Sequence, residues 1–168
     1  MESELRILSF VVFLSCGASS ASAQATSLDK LTPAWPASAQ HTAEVASNVT
    51  LGADLALDTW ASWQAPDRRH AFIAEGERVG LVLASAALVK FLVHRTRPCA
   101  PACGIDNTHA SFFSGHTALA FSTVGGKRLS ITIPLSSATG YLRIAANRHY
   151  LTDVLAGAGV GLAASRLR

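Results

Sequence analysis

The chain has 168 residues, 49% of them hydrophobic and 15% charged, with a mean hydropathy of +0.30. That is enough for one domain with its own core, too little for two, and too apolar for a disordered chain. The net charge of +3 comes from scattered residues with no basic run, which argues against a nucleic-acid partner, and three cysteines are too few for a disulfide scaffold.

Residues 1–23 read as a signal peptide. Ile7 to Cys16 is a short apolar core, and Ala21-Ser22-Ala23 follows as an A-x-A cleavage step before Gln24. Glu2 and Glu4 depart from the usual basic start. The other readings are an uncleaved anchor and lipid attachment at Cys16. Export implies a periplasmic or membrane-associated protein in an oxidising compartment, where Cys99 and Cys103 can pair. Residues 24–40 carry Pro33 and Pro36 without any period and read as a tether. Residues 41–168 form the domain.

From His41, Val45, Val49, Ala53, Ala56, Trp60 and Trp63 recur at steps of three and four. This is one stripe of an amphipathic helix, expected to face the core. Asp54 and Asp58 fall on the opposite face, expected in solvent. Gln64 to Asp67 breaks the helix. A second helix is expected from Arg68 to about Arg95, central because its later half is apolar nearly all round. Arg97-Pro98 stops it, since the residue before a proline is pushed out of the helical region.

Residues 98–112 read as a loop holding Cys99, Cys103, Asp106 and His109. Ser114 has the character of an N-cap for a short helix through Val124. Gly125-Gly126-Lys127 is a turn. A fourth helix is expected from Leu129 to Asn147, with a strand at Ile131-Thr132-Ile133 as the alternative, and a last helix over 150–166. The fold class is all-α, a compact bundle of about five helices. Val79–Val89, Leu129–Leu142 and Val154–Ser165 are each shorter than the roughly 18 residues of a membrane span and are better sized for core helices. A mostly apolar bundle can still sit on a membrane surface.

Three clusters carry chemistry: Lys90 with Arg97-Pro98, Ser114-Gly115-His116, and Arg143 with His149 and Asp153. Lys90 lies in an otherwise apolar stretch, and burying an ammonium is costly unless an anion pairs with it. Arg97 and Arg143 add planar guanidinium forks suited to phosphate oxygens. A helix start at Ser114 presents backbone N–H groups to an anion, and Gly115 leaves room for close approach. His149 and Asp153 are four apart and share a helical face, so the carboxylate can orient the imidazole as a nucleophile. His116 is a second imidazole, placed to protonate a leaving oxygen.

These three clusters resemble the signature of the type 2 phosphatidic acid phosphatases, a superfamily that includes bacterial non-specific acid phosphatases and vanadium haloperoxidases. The pattern is Lys-x6-Arg-Pro, Pro-Ser-Gly-His and Ser-Arg-x5-His-x3-Asp. Here it reads Lys90 to Pro98, Phe113 to His116 and Leu142 to Asp153. The resemblance implies phosphate binding by Lys90, Arg97, Ser114, Gly115 and Arg143. It implies a phosphohistidine at His149, oriented by Asp153, with His116 as general acid. The implied substrate is a lipid phosphate, a pyrophosphate or a small soluble phosphomonoester, with no cofactor and no metal ion. The alternatives are a non-catalytic phosphate- or lipid-binding relative, or a haloperoxidase that holds vanadate in the same cradle.

Three departures accompany the match. Phe113 stands for the proline, Leu142 stands for the serine, and the stretch between His116 and Arg143 is short. Other features invite weaker readings. Cys99 and Cys103 can form a disulfide, remain free thiols, or join His94 and His109 at a metal. Gly157, Gly159 and Gly161 suit close helix packing. Asn48-Val49-Thr50 is a glycosylation sequon by letter.

Overall fold

A computed structural model describes residues 25–103, 108–125 and 128–167. The expected signal peptide, Gln24, Asp106 and the Gly126-Lys127 part of the predicted turn lie outside the described residues. Among the described residues there are five α-helices and no strand. They are α1 (Ala37–Gln64), α2 (Arg68–Val93), α3 (Gly115–Ser122), α4 (Leu129–Ala145) and α5 (Leu151–Ala164).

Local chemistry explains the boundaries. Helix α1 starts straight after Pro36 and stops at Ala65, the residue before Pro66. The Asp67 carboxylate accepts a hydrogen bond from the His70 amide at 3.0 Å and caps α2. His94 ends α2 in the left-handed region, with φ of 48°. Ser114 caps α3, accepting from the Thr117 amide and hydroxyl. Ile131-Thr132-Ile133 is helical, not a strand, and Pro134 sits in the second turn of α4.

The shortest helix is the centre of the bundle. Helix α3 touches all four others and packs most extensively on α5, while α1 pairs with α4. Val82, Ala86 and Val89 of α2, Phe112, Phe113, Ala118 and the α5 residues Val160 and Ala164 form the main apolar core. Phe113, in place of a proline, is fully buried there. Leu142 packs with Trp35 against Ala43, Ala145 and Ala146.

Two orientations reverse the sequence expectation. The stripe expected to face the core faces outward: Val49 is 65% exposed, Trp60 55% and Trp63 56%. Asp54 and Asp58, expected in solvent, are buried with Ser47 and Ser62. Their partners explain the inversion. Ser136 of α4 donates to Asp54 at 3.1 Å, Thr139 pairs with Thr50 at 2.8 Å, and Asp58 forms a buried ion pair with Arg78. Burial pushes the Asp54 carboxyl up to about 6. Helix α2 is likewise not enclosed all round, because Leu83, Leu88, Phe91 and Leu92 point outward.

The segment read as a tether is held against the bundle. Leu28–Leu31 forms a 3-10 turn beside α5, and Asp29 within it is buried. The Trp35 amide donates to the Ala145 carbonyl at 3.0 Å.

Gly157 sets the spacing between α5 and α3. A Cβ at this position would sit 2.5 Å from the Ser114 carbonyl oxygen, a backbone atom that cannot swing aside. Gly161 meets the Ala118 carbonyl in the same way. Gly157→Ala is therefore expected to destabilise the fold by about 1–3 kcal/mol through overpacking. Gly52→Ala, with nothing within 4 Å, is expected to be neutral or stabilising because alanine is the better helix former. Thermal unfolding of the two variants checks this; an equal Tm for both would refute the close-packing account.

Candidate active site

The three sequence clusters meet at one end of the bundle. Lys90 lies in the last turn of α2, and its Nζ comes within 3.9 Å of the space a side chain at Gly115 would fill. The Ser114 amide donates to the Asp153 carbonyl at 3.0 Å, tying the start of α3 to the first turn of α5. The Arg143 carbonyl accepts from the Arg148 and His149 amides, so the end of α4 fixes the turn that carries His149. With the Ser114 amide and its cap accounted for, the Gly115 and His116 amides remain at the helix start for an anion.

Arg97 and Arg143 are buried and Lys90 is partly buried. Among the described residues, none of the three has a carboxylate within ion-pair distance. Arg97 donates to the Ala110 carbonyl at 3.4 Å and Arg143 to the Ser47 hydroxyl at 3.3 Å, while Nε of both guanidinium groups has no partner among the described residues. Burial, reinforced by Arg97 and Arg143, lowers the Lys90 ammonium to about 8. Burial also lowers Arg143 to about 10, with Glu44 opposing and Arg97 assisting. Cations that weaken one another in this way are stabilised by an oxyanion among them.

The imidazoles are neutral near pH 7. Burial, with the nearby cations assisting, lowers His116 to about 4. Burial also lowers His149 to about 4, with Asp153 opposing and Arg143 assisting. Nδ1 of His149 faces Oδ2 of Asp153 at 3.7 Å, longer than a hydrogen bond, and has no hydrogen-bond partner among the described residues.

Several partners of this site were not singled out from sequence. Arg95 donates to Oδ1 of Asp153 at 2.5 Å, and the Ser111 hydroxyl and Tyr150 amide donate to Oδ2 at 2.5 and 3.0 Å. Despite burial, these contacts and His149 keep the Asp153 carboxyl below its usual range. Nε2 of His116 lies 3.1 Å from the Asn48 side-chain oxygen, so the sequon asparagine faces the site from α1.

Cys99 and Cys103 are joined as a disulfide with their Cα atoms 5.5 Å apart. They line a cavity of about 220 Å³ with Glu44 and Arg148, which form a 2.8 Å ion pair. His109 pairs with Thr96, and His94 lies beside the Phe91 ring. Among the described residues no group of three His, Cys, Asp or Glu side chains is arranged to hold a metal ion.

A helical bundle that gathers buried cations, a helix start and two imidazoles has the design of a phosphoryl-group site. The chain belongs to the PAP2 superfamily, whose family model matches residues 78–168. Membership supports a phosphatase-type function on a phosphate-ester substrate. No curated protein and no solved structure matches the chain.

Proposed function

We propose that the protein is an exported, metal-independent phosphatase that works through a phosphohistidine at His149. The observation that carries this reading is the convergence of Lys90, Arg97 and Arg143, without carboxylate partners among the described residues, around the start of α3 beside His149. The substrate phosphoryl group sits among these cations and the Gly115 and His116 amides. Nε2 of His149 attacks phosphorus. A P–N bond forms, the ester P–O bond breaks, and His116 gives its proton to the leaving oxygen. Asp153 stabilises the positive charge that develops on the His149 ring. Water then attacks the phosphohistidine, His116 takes its proton, and phosphate leaves. The negative charge of the substrate opposes the cations that weaken His116, and so helps it carry the proton it must donate.

Two observations support a lipid phosphate at a membrane surface over a soluble ester. Large apolar side chains on α1, α2, α4 and α5 face outward while polar ones fill the α1–α4 interface. Arg128 and Arg68 stack over the outward rings of Trp60 and Trp63 at 4.7 Å, a pairing suited to a headgroup boundary. Among the described residues no helix is long and apolar enough to cross a membrane. Export is supported by the A-x-A step at Ala21-Ser22-Ala23, and the Cys99–Cys103 disulfide fits an oxidising compartment.

Purified protein assayed on nitrophenyl phosphate and on phosphatidate in mixed micelles tests the reading. Turnover is expected to persist with chelator and to be inhibited by vanadate, which mimics the trigonal phosphoryl group. The micellar substrate is expected to be preferred. Activity that vanishes with chelator and returns with a divalent ion would overturn the mechanism.

A further inference from the structure

Arg95 lies buried between two carboxylates. Its Nη1 donates to Asp153 at 2.5 Å and its Nη2 to Asp29 at 2.7 Å, with the guanidinium 4.6 Å from the Tyr150 ring centroid. Asp29 reaches this point from the N-terminal 3-10 turn, outside the region the family model matches. Four further donors hold it: the Thr26 amide and hydroxyl at 2.7 and 3.0 Å, and the Thr152 amide and hydroxyl at 2.9 and 2.8 Å. Burial opposes ionisation of Asp29, yet these hydrogen bonds outweigh it and hold the carboxyl at about 2. Among the described residues, the charged groups of this cluster are therefore two carboxylates and one guanidinium.

The charge count has a consequence at His149. If Arg95 paired with Asp153 alone, the pair would be neutral and would do little for a neighbouring imidazolium. With Asp29 present the cluster retains one net negative charge beside His149. We propose that Asp29 is a positioning residue for the His149–Asp153 pair: by occupying one arm of Arg95, it leaves Asp153 the negative charge that His149 needs as it becomes cationic. The inference rests on the phosphohistidine reading, because only a ring that gains charge during turnover uses this field.

The surrounding groups make the contribution matter. Lys90 of α2, Arg97 after it, His116 of α3 and Arg143 of α4 present basic groups to the site. Arg148 and Tyr150 flank His149 in its own turn. On the anionic side, among the described residues, stand Asp153 of α5, which faces His149 directly, Glu44 of α1, which is paired with Arg148 and acts on Arg143, and Asp29, which is paired with Arg95. Neutralising Asp29 removes one of the few charges that oppose these cations.

The test is an NMR titration of the His149 imidazole in the full chain, assigned by its loss in His149→Ala, together with pH profiles of kcat/KM. Asp29→Asn is expected to weaken proton binding at His149 by about tenfold, to move the acid limb of the profile to correspondingly lower pH, and to lower kcat. Asp29→Glu keeps the charge and is expected to titrate like the wild type. Asp29→Asn combined with Arg95→Gln again leaves Asp153 a lone anion, so proton binding at His149 should return to the wild-type strength or exceed it. A clasp that only pins the N-terminal segment predicts the opposite, since the double variant loses more contacts. Folded Asp29→Asn with an unchanged His149 titration overturns the proposal. Should that variant not fold, a double variant whose His149 binds protons more weakly than the wild type overturns it. The titration needs no turnover, so an absence of phosphatase activity in the wild type would count against the proposed function without deciding the role of Asp29.

Discussion

Replacing His149 by alanine is expected to lower kcat/KM by a factor on the order of 10⁵, equally for alkyl and nitrophenyl phosphates. In the proposed mechanism the ring supplies the atom that bonds to phosphorus, and no other described imidazole lies beside Asp153 with its amide bonded to the Arg143 carbonyl. Losses of this size accompany removal of a nucleophile that acts as one unit with its neighbours. Phosphate or vanadate should still bind, because Lys90, Arg97 and Arg143 remain. The measurement is kcat/KM for both substrates together with the vanadate inhibition constant. A variant that keeps even a tenth of wild-type turnover would remove His149 from the reaction.

For His116 the expected effect depends on the leaving group. An alkyl phosphate departs as a basic alkoxide and needs a proton, so His116→Ala should cost a factor on the order of 10²–10⁴. A nitrophenolate departs with little help, and the loss should be much smaller. The environment of His116 adds a pH dependence. Burial and the cations around it hold the ring at about 4, so its protonated fraction falls as pH rises through that region. A bound phosphate moves the fall to higher pH by offsetting the cations. The wild-type alkyl-phosphate rate should therefore decline toward alkaline pH more steeply than the nitrophenyl rate, and the difference should disappear in His116→Ala. Equal losses on both substrates would make His116 an anion-binding residue instead of the acid.

The sequence marked residues that come together in the structure more readily than it marked which helix faces turn inward. Lys90, Arg97, Ser114, Gly115, His116, Arg143, His149 and Asp153 stand in a motif whose spacing follows helix geometry, and the structure gathers them at one end of the bundle. Arg95 was illegible although it lies within the same stretch as Lys90 and Arg97. Its partners Asp153 and Asp29 are 58 and 66 residues away, and no local spacing marks it. Asn48 likewise stands out in the sequence only as part of a sequon, because its contact with His116 spans 68 residues.

Helix α1 shows where local pattern stops. Val45, Val49, Trp60 and Trp63 recur with the helical period, and so do Ser47, Asp54, Asp58 and Ser62. Both stripes specify a helix, because 3.6 residues per turn brings every third or fourth side chain to one face. Neither stripe says which face turns inward. That choice depends on what lies across the interface and what lies outside. Helix α4 offers Ser136, Thr139 and Arg143 to the polar stripe of α1, and α2 offers Arg78. Buried polar groups are stable only when such partners are in place. Local sequence thus determined the helices, their caps and the spacing of the three clusters that mark the family, through steric and hydrogen-bonding rules that act over a few residues. The tertiary structure decided the inward face of α1, the docking of Asp29 and the sharing of Arg95, because each needs partners brought together from distant parts of the chain.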